Sequence, residues 1–127
     1  MTRTFVILGG ISAFLAVLLG AFGAHGLRSH LSAESMSIYQ TGVQYQMTHA
    51  LGLLLIGLLL ERRTQNVKLI RAGWLLVAGS VIFSGSLYGL ALSGVRILGA
   101  ITPLGGLCFL AGWILLVWAM ATEKQER

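Results

Sequence analysis

The chain has 127 residues, of which 56% are hydrophobic and only 10% are charged, and its formal net charge is +5. Soluble globular domains carry about 25% charged residues, so this composition excludes that class and predicts an integral membrane protein. The length allows one domain, residues 1–127. Four uncharged stretches, each near the ~20 residues that cross a bilayer, take up most of it and exclude a large domain outside the membrane.

The first predicted span covers residues 5–24, which are uncharged and make a helix of about 30 Å. A polar segment with His25, Arg28 and His30 follows it. Ser32, followed by Glu34, has the pattern of an N-cap with an acid in the first turn. A second helix is therefore expected to begin near Ala33.

The second helix is predicted to be amphipathic over about residues 33–46 and to span the membrane over about residues 43–60. Met36, Tyr39 and Val43 share one arc, whereas Gln40 and Gln44 lie on the opposite half. From residue 50 to residue 60 the sequence is wholly apolar. We expect one helix that starts along the outer surface and then enters the bilayer, continuous or broken only at Gly42.

Residues 61–71 are predicted to form the main polar loop. The third and fourth spans are predicted over about residues 72–92 and 97–122. Residues 93–96 form a tight turn between them, and residues 123–127 form a charged tail. Pro103 lies about one and a half turns into the fourth span. It predicts a mild kink or a late start of that helix.

The distribution of Lys and Arg predicts the orientation. Seven of the nine basic residues lie near the N-terminus, in the middle loop or in the tail, and only Arg28 and Arg96 lie on the other side. The positive-inside rule therefore places both termini in the cytoplasm. Because the basic residues sit at the ends of apolar segments and not on a common patch, we predict no nucleic-acid partner.

The glycine content predicts close helix packing. There are 17 glycines, about twice the usual ~7%. Helices in lipid associate through close backbone approach, so small residues three or four apart mark the contact faces. Gly85 and Gly89 are four residues apart, and Gly105 and Gly112 share a face two turns apart. These stripes can serve the four-helix bundle or the interface of an oligomer.

Polar side chains in the outer half of the membrane form a candidate site. His49 is roughly 18 Å from the cytoplasmic end of the second helix, and intramembrane polar groups usually face the protein interior. The polar side chains in this half of the membrane predict an outward-opening pocket for a lipid headgroup, an anion or a small polar solute. The candidate ligand-binding residues are His25, Arg28, Gln44, Gln46, His49, Ser84, Tyr88, Arg96 and Thr102.

Structural roles compete with each of these assignments. A single intramembrane histidine can hydrogen-bond two helices together, handle a ligand or proton, or bind a metal or haem. Arg28 and Arg96 can reach lipid phosphates by snorkelling. Cys108 has no partner at metal-ligand spacing and is predicted to be a small packing residue. The sequence carries no catalytic motif and no acid inside a span, so we expect no enzyme activity, no cofactor and no metal.

Four sequence blocks carry a resemblance. They are GAFGAHGL at residues 20–27, YQTGVQYQMTHALG at residues 39–52, GSLYGLALSGVRILGAITPLGG at residues 85–106, and Gly112-Trp113. In these blocks the chain resembles the YgdD/YwdK family, known as domain of unknown function 423. The resemblance implies a four-pass bacterial inner-membrane protein with no established biochemical function and no catalytic residue. Its blocks include most of the candidate site, His25, Gln46 and His49 among them.

The sequence therefore predicts an all-α, four-transmembrane-helix bundle in the bacterial inner (plasma) membrane. The leading hypothesis is a non-enzymatic protein whose outer-half pocket binds a lipid headgroup or small amphiphile. Membrane lipids are the expected partners, and a homo-oligomer or another membrane protein stays open as a further partner. The alternative functions are an accessory subunit of a larger membrane complex and a small channel or facilitator.

Overall fold

A computed structural model of the protein, which describes residues 1–124, confirms a bundle of four helices. Each helix is long and apolar enough to cross a membrane. The last three residues of the expected charged tail, 125–127, lie outside the described part. The helices are α1 (Thr2–Leu27), α2 (Ala33–Arg62), α3 (Val67–Ser93) and α4 (Ile97–Ala121).

Two of the helices contain a π-helical turn, in which the backbone bonds reach one residue further than in an α-helix. The last turn of α1 is of this kind, over Gly23–Leu27. The other π turn, Ser80–Ser84, lies in the middle of α3 and divides it into two α-helical parts. π turns inside α-helices often occur at functional sites.

The start of α2 agrees with the sequence prediction. The backbone N–H of Ser35 donates to Ser32 Oγ at 3.1 Å, which is the expected N-cap bond. The helix then runs unbroken through Gly42 to Arg62. The surface orientation of its first turns stays a prediction.

The expected polar loop at residues 61–71 is wrong in its length, because only residues 63–66 separate α2 from α3. Asn66 starts α3 early: its Oδ1 accepts the N–H of Leu69 at 3.1 Å. Lys68 and Arg71 consequently lie on the first turns of α3.

A short turn connects α3 to α4. Gly94 takes a positive φ of 72° there, a conformation that favours glycine. α4 begins at Ile97 and continues past Pro103, so the expectation of a late helix start is wrong.

Neighbouring helices in the chain pack against each other, and α1 also reaches α3 at one end. There the Phe5 ring lies edge-on to Trp74, with ring centroids 5.3 Å apart. This end also carries the N-terminus, the end of α4 and the 63–66 loop, and we call it the basic end. Arg63 pairs with Glu123 there. The remaining end, with the 28–32 loop and the 94–96 turn, is the opposite end.

Apolar side chains form two separate clusters along the bundle. The larger lies at the basic end and includes the fully buried Phe5, Ile56 and Leu76. The smaller, around Met36 and Tyr39, lies at the opposite end. Between them lie four buried polar residues: Gln46, His49, Ser84 and Ser86. We call this set the polar layer.

Glycines allow the close helix contacts, although not at every predicted position. A side chain at Gly105 would collide with the backbone of Phe83 on α3, and one at Gly9 would lie 2.8 Å from the Ala50 carbonyl on α2. Gly89 faces Leu98. The expectation that Gly85 is a packing contact is wrong, because a Cβ there meets nothing within 4 Å.

Candidate functional site

A chain of hydrogen bonds crosses three helices within the polar layer. Tyr88 Oη on α3 donates to Gln46 Oε1 on α2 at 2.6 Å. Gln46 Nε2 in turn donates to the Ser12 carbonyl on α1 at 3.0 Å. The side-chain oxygen of Gln46 therefore bonds to α3 and its side-chain nitrogen bonds to α1, and this fixes both helices relative to α2.

Serine and threonine hydroxyls make further links between helices. Ser84 Oγ donates to the Gly42 carbonyl at 2.8 Å, so the end of the π turn is tied to α2. Ser86 Oγ and Thr102 Oγ1 are 2.6 Å apart and join α3 to α4. Ser84 and Thr102 are thus both satisfied inside the protein.

His49 lies on the side of α2 that faces α4. Its ring stacks on Phe109 with centroids 3.5 Å apart. Trp113 Nε1 donates to His49 Nε2 at 3.0 Å, and His49 Nδ1 is 2.7 Å from the Tyr45 carbonyl. An indole N–H can only donate and a carbonyl can only accept. The imidazole is therefore neutral, with its proton on Nδ1 and its Nε2 as an acceptor.

This geometry leaves no ring nitrogen of His49 free for a ligand, a metal or a proton in transit. Of the roles considered for His49 from the sequence, a structural link between α2 and α4 fits best. Within residues 1–124, no three side chains of His, Cys, Asp or Glu come together as metal ligands.

Four of the predicted site residues lie on the surface at or near the opposite end. His25, Arg28, Gln44 and Arg96 are all exposed. His25 makes only a local contact, from its Nδ1 to the Ala21 carbonyl at 2.9 Å. The nine predicted residues thus occupy three places: this surface, the α4 side of the polar layer, and the α1 side, where Gln46, Ser84 and Tyr88 meet.

A groove of about 410 Å³ opens on the α1 side of the polar layer. α1 and α3 form its walls, and α2 forms its floor. It begins just beyond the contact of Phe5 with α3, which closes it towards the basic end. Its lining includes Ser12, Leu15, Gln46, Leu53, Ser80 and Tyr88.

The groove is open to the surrounding lipid along one side. Ile11 and Val81 line it and are 53% and 69% exposed. Gly85 also lines it and leaves space there. Within residues 1–124, no charged side chain lines this groove, and Ser80 Oγ is the one buried side-chain polar atom without a hydrogen-bond partner.

Sequence reasoning missed Ser12 and Ser80 as residues of this site. Both are polar residues inside apolar spans, which was the available signal. Ser80 lies thirteen residues from each end of α3, or about 20 Å at 1.5 Å per residue, and so sits at the middle of the membrane-spanning part.

Comparison with known proteins places the chain in a family. The family described as "Protein of unknown function (DUF423)" matches residues 19–106. The chain is 56% identical to the UPF0382 membrane protein SERP0230 of Staphylococcus epidermidis, covering 92% of this chain and 94% of the relative. It is 50% identical to the UPF0382 membrane protein YwdK of Bacillus subtilis, covering 92% and 95%. No solved structure matches it. The resemblance is confirmed, and the chain belongs to the DUF423 family of integral, multi-pass bacterial membrane proteins of unknown function.

Proposed function

We propose that the protein binds an uncharged, membrane-dissolved lipid or amphiphile in the groove between α1, α2 and α3. The observation that carries this proposal is a lipid-facing apolar groove. Its α2 floor and its α3 wall hold a few polar groups near the middle of the membrane-spanning part. Ligand pockets in proteins have this character: mostly apolar, with a small number of polar groups that fix orientation.

The chemistry of the lining selects the class of ligand. A charged headgroup would find no counter-charge among the residues that line the groove, and burying a charge unpaired is costly. The polar groups present are hydroxyls and one amide, which suit a hydroxyl, ether or carbonyl oxygen. The proposal keeps the lipid ligand expected from the sequence but moves it from the outer half of the membrane to its middle.

We also propose that the protein acts by binding and not by catalysis or conduction. The four acidic residues are at positions 34, 61, 123 and 126, at helix ends or beyond them. Buried apolar side chains fill the bundle at the basic end, among them Ile56, Leu60 and Leu69. That filling opposes a continuous polar path through the bundle.

Photolabelling with matched variants tests the binding proposal. The parent protein, in vesicles of phosphatidylcholine, is exposed to octadecanol that carries a diazirine near the middle of its chain. Labelled residues are mapped by mass spectrometry after proteolysis. We expect labels on α1 and α3 beside the groove, and excess unlabelled octadecanol should compete with them.

Two glycine variants separate the groove from the rest of the lipid-facing surface. Gly85→Leu places a side chain in the groove, whereas Gly10→Leu places the same side chain on the outer face of α1; neither Cβ meets a neighbour within 4 Å. Labelling should fall several-fold in Gly85→Leu and persist in Gly10→Leu. Equal labelling of the parent and Gly85→Leu would show that the probe samples only the general surface, and the proposal would then be wrong.

A further inference from the structure

We propose that Lys68 and Trp118 form a second lipid site, for one anionic phospholipid of the leaflet at the basic end. It is distinct from the groove described above, since it lies between α3 and α4 and carries a charge.

The two residues meet where α3 begins and α4 ends. Lys68 Nζ lies 4.7 Å from the centre of the Trp118 ring, a cation–π distance. The same ammonium donates to Thr122 Oγ1 at 2.9 Å. These contacts hold the charge at the basic end of the bundle, where α4 ends and where lipid phosphates are expected. An ammonium has three N–H donors, so two stay available to a phosphate after the bond to Thr122.

An apolar surface groove of about 360 Å³ runs along α4 beside this charge. Trp113, Ile114, Val117 and Trp118 line it. Ile114 and Val117 are about two-thirds exposed, so the groove is open to lipid. From Trp118 it extends five residues towards the middle of the membrane, about 7–8 Å along the helix. A cation at the interface and an apolar groove below it match the two halves of a phospholipid.

The charge of the basic end selects an anionic headgroup. Arg62, Lys68, Arg71 and Lys124 lie at this end; of the two acids there within residues 1–124, Glu123 is paired with Arg63 and only Glu61 is left to offset these cations. A zwitterionic headgroup would bring a positive choline or amine towards these cations. Tryptophan is also enriched at the membrane interface, where its ring contacts both acyl chain and headgroup. The occupant is therefore a glycerophospholipid with net negative charge.

Quenching of tryptophan fluorescence by brominated lipid tests this site directly. In a Trp74→Phe background, only Trp113 and Trp118 report, and both line the groove. The protein is reconstituted in vesicles with brominated phosphatidylglycerol or brominated phosphatidylcholine at equal mole fraction. Quenching then gives the binding of each lipid relative to bulk. We expect phosphatidylglycerol to be favoured about five-fold, the effect of one basic residue near an anionic surface.

Variants of single basic residues decide whether the preference belongs to Lys68. Lys68→Gln should bring the ratio of the two lipids close to one, and Lys68→Arg should keep it. Arg3→Gln removes the same charge at the same end but on α1, and should leave the ratio unchanged. Circular dichroism checks that each variant is folded. Equal quenching of the parent protein by both lipids would overturn the proposal. An equal loss of the phosphatidylglycerol preference in Lys68→Gln and Arg3→Gln would also overturn it, because the preference would then come from diffuse electrostatic attraction only.

Discussion

The contact between His49 and Trp113 permits a quantitative test of the structural role of the histidine. We consider His49→Leu, which removes the acceptor of the indole N–H, and His49→Gln, which can supply another acceptor. In the leucine variant Trp113 Nε1 loses its partner at a half-buried contact between α2 and α4, where lipid and apolar side chains offer no other acceptor. An unsatisfied buried donor costs about 1–3 kcal/mol.

The stack on Phe109 adds to this cost. Ring pairs with this geometry contribute about 0.5–1.5 kcal/mol beyond their burial, and both substitutions remove the ring. We therefore expect His49→Leu to lower the free energy of unfolding by about 2–4 kcal/mol and His49→Gln by about 1–2 kcal/mol. The Tyr45 carbonyl adds little, because it keeps its helical backbone bond.

A double-mutant cycle isolates the hydrogen bond itself. Trp113→Phe removes the donor, so His49→Leu in that background should cost less than in the parent. Measured interhelical bonds in membranes average about 0.6 kcal/mol and reach about 1.7 kcal/mol, and we expect a coupling in this range. The assay is unfolding by sodium dodecyl sulphate in mixed micelles, followed by far-ultraviolet circular dichroism.

Two results would refute the reasoning. Strict additivity of the two substitutions would mean that the bond from Trp113 to His49 contributes nothing. Unchanged stability in His49→Leu, together with loss of bound lipid in native mass spectrometry, would instead make His49 a ligand-binding residue.

Three further predictions test other parts of the bundle. Gly105→Ala should lower the free energy of unfolding by about 1–3 kcal/mol, because the added methyl group meets the backbone of α3. Gly85→Ala should be neutral or stabilising by up to about 1 kcal/mol through helix propensity. Thermal unfolding in detergent compares the two variants, and a larger loss of stability at Gly85 would contradict the packing described. Tyr88→Phe should lower the free energy of unfolding by about 0.6 kcal/mol, and Gln46→Leu should lower it clearly more, since the leucine removes both hydrogen bonds that link α3 to α1 through Gln46. Equal losses of stability in the same unfolding assay would argue against this hydrogen-bond link. A cysteine at Gln65 should be shielded from an impermeant thiol reagent in intact cells and one at Ser29 should react; the reverse pattern would invert the topology. A third position for this test, Gln125, lies outside the described residues.

The number and order of the helices could be predicted from sequence because lipid imposes a length and a composition on each span. The N-cap at Ser32 was equally local, since its bond reaches only to Ser35. The early start of α3 at Asn66 had the same kind of signal, but the basic residues after it suggested a loop.

The assembly of the site could not be predicted, because it depends on how each helix is rotated about its axis. The fourth span is apolar apart from Thr102, so its sequence does not reveal which face turns inward, and the polar residues of the third span do not reveal which helices they meet. Tyr88 and Trp113 were at the right depth, yet nothing local indicates that the first turns to Gln46 and the second to His49. The open groove at Gly85 depends on the same rotation.

The direction of the hydrogen bonds in the polar layer bears on how the protein is made. Tyr39 and Gln46 on α2 donate to carbonyls of α1, Ser84 and Tyr88 on α3 donate to α2, and Trp113 on α4 donates to α2. In each of these bonds the acceptor belongs to the helix that the ribosome synthesises first. Each new segment can therefore satisfy its polar groups on helices already in the bilayer. For these five bonds, insertion in chain order leaves no donor waiting in lipid for a partner still to be translated.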